Sequence, residues 1–304
     1  FLCHSYVGCL LLSFCSLMIG GAAGLRICSY NIQRFNTTKA ADYRVMHTLT
    51  KIVSRCDICV LQEVVDPELK AVKALVASLN RYASTLSSRT KTDSNPERFL
   101  LWLSTHLVKQ LGQHQYEGKA FVRPPFAIHF SCSKTDIKEF VLVPLHSDPD
   151  QAVQEIDWLY DVFEEVSTKW NNTNVMFLGD FHAGCAYVTR NDKKKIRLFT
   201  NSNFSWLIGD REDTTVTDTT SCPYDRIVVH GQSFLKAIRP FSGKVFNFGK
   251  EFRLRQAKVG GLWLQQKDPE KHKIPIKIFH LCGWIIKFLY GNKTCCKHIN
   301  DINS

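Results

Sequence analysis

A chain of 304 residues that is 44% hydrophobic and 22% charged is long enough to bury one large core and too apolar to be a disordered polymer. Its net charge of +11 suits polyanionic partners, but residues 255–304 hold nine Lys/Arg against three Asp/Glu, so the tail carries most of the excess. A modest basic bias of this kind suits phosphate backbones but does not by itself name nucleic acid, and for charge alone solubility is the better explanation.

Phe1 to Gly24 contains no Lys, Arg, Asp or Glu, and its apolar run Val7 to Ile19 ends in the small residues Gly20 to Gly24. That pattern reads as the h-region and cleavage site of a signal peptide over 1–24, lacking its initiating Met and basic start, and is short for a membrane span. The chain is therefore expected to be secreted or held in the endoplasmic reticulum or endomembrane lumen, mature from about Leu25. Sequons at Asn36, Asn171, Asn203 and Asn292 are then candidate glycan sites.

Leu25 to Tyr30 predicts a strand delivering Asn31, Lys39 to Ser54 a helix, Cys56 to Leu61 a buried strand ending at Gln62 and Glu63, and Glu68 to Leu79 a second helix. Strands alternating with helices argue an α/β domain. Ser87 to Asn95 is a polar loop, and Glu97 opens the apolar strand Arg98 to Leu103. Lys109 to Pro125, rich in Gln, Gly and Pro, reads as loop. Phe126 to Phe130 and Phe140 to Leu145 are strands, the second ending at His146, and Ala152 to Trp170 is a long amphipathic helix.

The stretch that organises the rest is Val175 to Ala183, Val-Met-Phe-Leu-Gly-Asp-Phe-His-Ala. Four apolar residues make a buried strand, Gly179 permits a tight turn, and Asp180 and His182 face alike because side chains two apart share a side. A Thr-rich loop, Asp213 to Thr220, precedes Cys222-Pro-Tyr-Asp-Arg and the strand Arg226 to Val229. Among twelve Cys, Cys28, Cys56 and Cys59 lie within apolar segments, whereas Cys185 and Cys222 sit beside strand ends in turn-rich sequence where an oxidising compartment would let them bridge.

Several buried strands thus end in a carboxylate, amide or imidazole: Asn31, Glu63, His146, Asp180 with His182, and Asp225. Hard oxygen donors of this kind suit Mg²⁺, Ca²⁺ or Mn²⁺, and the scattered thiols lack the spacing of a zinc site. A hard metal with His and carboxylates is the equipment for phosphoryl transfer to water. No nucleophilic Ser sits in a Gly elbow.

The stretches 25–33, 56–66, 143–147, 178–185, 213–217 and 222–229 together resemble the deoxyribonuclease I family, in particular its secreted deoxyribonuclease-1-like proteins, over about 25 to 254. The resemblance implies an α/β (α+β) four-layer sandwich of the endonuclease/exonuclease/phosphatase type, two mixed β-sheets flanked by helices, and a Ca²⁺/Mg²⁺-dependent endonuclease cutting double-stranded DNA to 5′-phosphate ends. By the same resemblance Glu97 and His146 would be the acid/base pair, Glu63 with Asn31 would hold the catalytic metal, and Asp180 would contact metal or phosphate. Asp225 would orient the essential groups, Tyr224 and Arg123 would touch DNA, Cys185 and Cys222 would form a disulfide, and Asp213, Thr215 and Thr217 would match a structural calcium loop. No small-molecule cofactor is implied, membrane anchoring is not expected, and a monomer is.

Two departures stand out. His182 replaces the Asn that the family carries after Gly-Asp-Phe, and an imidazole cannot reproduce the amide's paired donor and acceptor. After Phe252-Arg253-Leu254 the family's last strand, with Ser-Asp-His and a second catalytic imidazole, does not come; residues 255–304 form a divergent tail, which reads as a mis-spliced or read-through gene model ahead of a diverged, inactive protein. The nuclease domain is then 25–254, and impaired hydrolysis is expected. The alternatives are a catalytically dead DNA-binding homologue and a phosphoesterase of the same superfamily acting on another ester.

Overall fold

The computed structural model describes residues 24–79, 83–86, 98–103, 107–215, 220–254, 283–284 and 286–287. Glu97, Thr217, the loop 87–95, Asn292, residues 1–23 of the signal-like stretch and most of the tail lie outside the described residues.

In chain order the elements are β1 (Arg26–Phe35), α1 (Thr37–Ala41), α2 (Tyr43–Val53), β2 (Ile58–Val64), α3 (Lys70–Leu79), β3 (Ala83–Leu86), β4 (Arg98–Leu103), β5 (Lys109–Gln115), β6 (Phe126–Ser131), β7 (Glu139–His146), α4 (Ala152–Trp170), β8 (Val175–Asp180), α5 (Arg197–Thr200), β9 (Phe204–Trp206), β10 (Asp225–His230), α6 (Gln232–Ala237), β11 (Val245–Phe246), α7 (Phe248–Glu251), β12 (Gly283–Trp284) and β13 (Ile286–Lys287). They build two mixed sheets, ordered β13-β1-β2-β4-β3 and β5-β6-β7-β8-β10-β9, and a β11-β12 ribbon. The parallel pairs are β1 with β2 and β7 with β8, each bridged by helix-bearing sequence.

The four layers follow from strands that are apolar on both faces. Ile27, Ile58, Val60 and Leu101 of the first sheet pack against Ile128, Leu142, Met176, Leu178 and Ile227 of the second, forming the central core. The opposite face of the first sheet, Cys28, Cys59 and Leu61, is covered by Val45, Leu49 and Ile52 of α2 and Val72 and Leu75 of α3. The outer face of the second, Val141, Val143, Val175 and Phe177, is covered by Ile156, Leu159, Val162 and Val166 of α4.

Three expectations need correction. Lys109 to Pro125 is not all loop: β5 pairs antiparallel with β6. As a polar sheet edge it lacks the apolar run that marks a buried strand, and its Gly112 lets Trp170 approach, since a Cβ there would sit 3.3 Å from the Trp170 ring nitrogen. The helix expected over Lys39 to Ser54 is two helices, because the Asp42 carboxylate accepts from the backbone N–H groups of Arg44 (2.8 Å) and Val45 (3.4 Å) and starts a new helix. Of the cysteines placed within apolar segments, Cys28 and Cys56, for which no bridge was expected, form a disulfide joining β1 to the residue pair ahead of β2, while Cys59 stays free and buried. The backbone of the tail, moreover, pairs at the β1 edge, Arg26 with Lys287 and Ile27 with Ile286.

Candidate active site

Parallel and antiparallel pairing brings the polar strand ends to one edge. His146 is in register with Asp180, Asp180 with Asp225, and Asn31 with Gln62, next to Glu63. Bulges shift the register beyond Asn31 and beyond Leu61, and Gln33, Arg34 and Glu63 adopt left-handed backbone with φ of 47°, 50° and 59°. Non-glycine residues hold such conformations at a cost of about 1–2 kcal/mol each, and here the bulges turn the Glu63 carboxylate onto the strand-end edge.

Asn31 is the hub. Its Nδ2 donates to Glu63 Oε1 (2.8 Å) and to Asp180 Oδ2 (3.2 Å), tying the two sheets together, while its Oδ1 accepts from the Gln33 amide (2.9 Å). Asn31 thereby orients both carboxylates, and its Oδ1, with one lone pair on the Gln33 N–H, keeps a second beside them. Glu63 Oε2 accepts from Arg34 N–H (3.0 Å), and Glu63 Oε1 lies 3.8 Å from His146 Nε2. Lys39, buried, gives its ammonium to the Gln33 carbonyl; burial pushes it down to about 8, opposed by the negative charge of Glu63.

Behind these groups Gln62 rivets the sheets. Its Nε2 donates to the Leu145 carbonyl (2.7 Å) and its Oε1 accepts from Asp180 N–H (3.1 Å). The role expected of Gly179 changes accordingly: it lies inside β8 and makes no turn, and its missing side chain is where Gln62 passes. Asp180 and His182 do come together, but by a local bend rather than strand alternation. His182 follows the strand with φ of 50°, its N–H reaches Asp180 Oδ1 (3.3 Å), and its Nδ1 lies 3.5 Å from the same oxygen and 3.2 Å from Ser147 Oγ.

The wall of the site is aromatic. The His146 and His182 rings lie 5.9 Å apart, and Tyr187 and Tyr224 flank His182 at 5.4 and 5.6 Å. Tyr224 is only 3% exposed; burial, then Tyr187 and Asp180, push its phenol up to about 12, which keeps it a neutral donor. Arg123 Nη1 donates to the His146 carbonyl (3.3 Å), so this guanidinium braces the end of β7. Cys185 and Cys222 are bonded. Asp213 Oδ1 accepts from the N–H and hydroxyl of Thr215 (2.9 and 2.6 Å), a loop-closing arrangement on the turn where the calcium set was expected.

Asp225 decides what the pocket lacks. Fully buried, its carboxyl has the Thr214 hydroxyl as its neighbour, which is shared with the Cys222 carbonyl. Burial and the adjacent charge of Asp180 hold its carboxyl well above the usual range. Three carboxyl groups converge on one edge, one of them fully buried beside Asp180; a divalent cation would relieve that crowding, and the oxygen donors fit a hard ion. Sequence reasoning missed Gln62, Lys39 and Ser147 as parts of this assembly. Only for Gln62, a polar residue at the end of an apolar strand, did the sequence hold a signal.

The pattern of the Endonuclease/Exonuclease/phosphatase family matches residues 28–244. Human deoxyribonuclease gamma is 37% identical over 253 residues, covering 79% of this chain and 83% of the relative. Rattus norvegicus deoxyribonuclease-1 is 42% identical over 245 residues, covering 77% and 86%. Among solved structures, D. rerio TDP2 complexed with a single-strand DNA product superposes with a TM-score of 0.56 at 14% identity, over 88% of this chain and 99% of that one. The human Nocturnin catalytic domain with bound sulfate gives the same score and identity over 88% and 94%. These two likenesses concern the fold.

Proposed function

The chain belongs to the endonuclease/exonuclease/phosphatase family and, within it, to the deoxyribonuclease I family, and from that premise we propose that it is a divalent-metal-dependent endonuclease hydrolysing phosphodiester bonds of double-stranded DNA to 5′-phosphate ends. The observation that carries this reading is the junction of Glu63, Asp180 and His146 at one strand-end edge, locked through Asn31 at 2.8 and 3.2 Å. Glu63 and Asp180 would hold Mg²⁺, which when bound neutralises charge on the scissile phosphate; Mn²⁺ suits the same oxygens.

His146 Nε2 takes the proton of the attacking water, and the Glu63 carboxylate 3.8 Å away favours the imidazolium that results. Glu97, outside the described residues, is assigned to orient His146. Burial and the charge of Asp180 favour a protonated Asp225, and a cation held by Asp180 would draw that carboxyl back toward its ionised form. His182 faces the phosphate with an imidazole, Tyr224 with a neutral hydroxyl, and Arg123 lends positive charge beside the DNA path. Asp213, Thr215 and Thr217 are assigned to a structural Ca²⁺. Secretion is part of the proposal, supported by two disulfides, which persist in oxidising compartments.

Because the second imidazole expected near the C-terminus does not occur in a matching motif, hydrolysis should be slow by about 10²–10⁴-fold relative to an enzyme with both. A plasmid-nicking assay in Mg²⁺ and Ca²⁺ tests the reading. Slow nicking that EDTA stops and His146→Ala removes is the expected result. Salt-sensitive DNA binding without any cleavage would establish the non-catalytic alternative instead.

A further inference from the structure

Of the sequons that fall among the described residues, two meet at one turn. The Thr173 carbonyl, in Asn171-Asn172-Thr173, accepts from His230 Nδ1 at 2.9 Å, and the Asn203 carbonyl, in Asn203-Phe204-Ser205, accepts from the Gly231 N–H at 2.9 Å. Asn171 and Asn203 are both exposed, and among the described residues neither side-chain amide is hydrogen-bonded. Asn171 ends α4 in the left-handed region with φ of 47°, and Asn203 stands in the turn ahead of β9.

This turn lies at the end of the second sheet remote from the strand-end carboxylates. β10 enters at Asp225 and leaves at His230, and β8 starts at Val175 and finishes at Asp180, so five strand steps of about 3.3 Å separate the two ends by about 17 Å. Aromatic rings gather at the remote end. Phe163 lies 4.1 Å from His230 and 5.3 Å from Phe204, and Tyr160 lies 6.0 Å from Phe204, with Tyr160, Phe163 and His230 only partly buried. Partly exposed rings clustered in this way are where chains associate unless something covers them.

We propose that Asn171 and Asn203 each carry an N-linked oligosaccharide, that the two sugars cover this aromatic edge, and that they leave the strand-end edge open to DNA. The modification rests on the secretory reading above, and the open edge on the nuclease reading. The sugar donor is an oligosaccharide linked to a lipid diphosphate. Asparagine Nδ2 bonds to the anomeric carbon of the first sugar, the bond from that carbon to the diphosphate oxygen breaks, and the diphosphate leaves with the electron pair as Nδ2 gives up one proton. Thr173 and Ser205 supply the hydroxyl that completes each acceptor motif. A pyranose ring has a C–H face that packs on aromatic carbon, while its hydroxyls keep the outside wet. Asn36 stands differently: half-buried, with its Oδ1 accepting from Lys39 N–H at 3.0 Å to cap α1, it follows Gln33 and Arg34 at the site's own edge and takes no part in this assignment.

The test expresses the full chain in eukaryotic cells, once with only an added initiating Met and once behind an independent secretory leader. Peptide-N-glycosidase, which turns each sugar-bearing Asn into Asp, followed by peptide mass mapping, should mark Asn171 and Asn203. Thr173→Ala, which leaves the left-handed Asn171 in place, and Asn203→Gln should each lose one sugar-dependent gel shift. Stripping the sugars from the folded parent should raise self-association in sedimentation, while nicking stays within about twofold, as for surface changes away from a site. An unmodified Asn at either position in leader-secreted protein overturns the modification, and unchanged association after stripping overturns the covering role. Nicking that rises well beyond twofold on stripping overturns the open edge. Sugars that appear only behind the leader overturn the secretory reading and leave the two sites standing. If no form nicks DNA, the nuclease reading fails, and the sugar map and sedimentation still decide the rest.

Discussion

A Cβ at position 179 would lie 2.2 Å from the Leu145 carbonyl oxygen and 2.5 Å from Gln62 Nε2, on a backbone with φ of +137°. Neither neighbour can yield cheaply, since the first is backbone of β7 and the second bridges the sheets. Gly179→Ala therefore combines overpacking with left-handed strain and should cost about 3 kcal/mol or more, read as a lowered denaturation midpoint with unchanged slope. Asn31→Ala tests the neighbouring hub: it removes the donor shared by Glu63 and Asp180, leaves two converging carboxylates unbridged, and should lower nicking at least about 10-fold while raising the Mg²⁺ concentration required. These residues differ in how readable they were. Asp180, His146, Glu63 and Asp225 stood out because a charged or titratable group at the end of an apolar strand breaks the local pattern. Lys39 did not, because nothing local distinguishes a buried lysine in a polar segment; its burial arises from the turn of Gln33 and Arg34 folding back over it.

At the scale of elements, α4 does more than cover a sheet. Glu155 in its first turn is fully buried and accepts from Val122 N–H (2.7 Å) and Asp148 N–H (2.9 Å), so one carboxylate fixes the segment bearing Arg123 and the chain leaving His146. Burial raises its carboxyl, and the two N–H donors only partly offset this. A carboxyl whose folded value is raised contributes stability that is fully present below its unfolded value and lost as pH climbs through the folded one. The protein should accordingly lose stability upward through the weakly acidic range, and Glu155→Gln should flatten that stretch of the melting-temperature profile. The same variant leaves one N–H facing an amide NH₂, so it should cost about 1–3 kcal/mol and weaken nicking through misplaced Arg123 and His146. Apolar alternation and helical spacing made β1, β2, β7, β8, β10 and α4 legible. β5 was not, because a polar edge strand owes its pairing to β6 rather than to its own composition, and the break at Asp42 was hidden because an N-cap carboxylate inside a run of helix-compatible residues leaves the local pattern unchanged.

For the molecule as a whole, the two disulfides are placed so that they separate stability from function. Cys28–Cys56 closes a separation of 28 residues on the α2/α3 side of the first sheet, and Cys185–Cys222 closes 37 residues between the loops after β8 and before β10. Loop-closure entropy assigns each about 3–4 kcal/mol, so the replacements Cys28→Ala/Cys56→Ala and Cys185→Ala/Cys222→Ala should lower stability by similar amounts. Their effects on hydrolysis should diverge. Cys222 lies two and three residues ahead of Tyr224 and Asp225, its carbonyl receives the Thr214 hydroxyl, and that hydroxyl's oxygen in turn accepts from the Tyr224 and Asp225 N–H groups at 3.0 and 3.1 Å. Freeing this segment loosens the strand entry that holds Asp225 against Asp180, whereas freeing Cys28 touches only the helix-covered face. Measured well below both melting temperatures, nicking should fall several-fold for the Cys185/Cys222 pair and stay near the parent value for the Cys28/Cys56 pair. Equal losses in both would mean that the strand-end site draws its geometry from global rigidity rather than from the turn leading into β10.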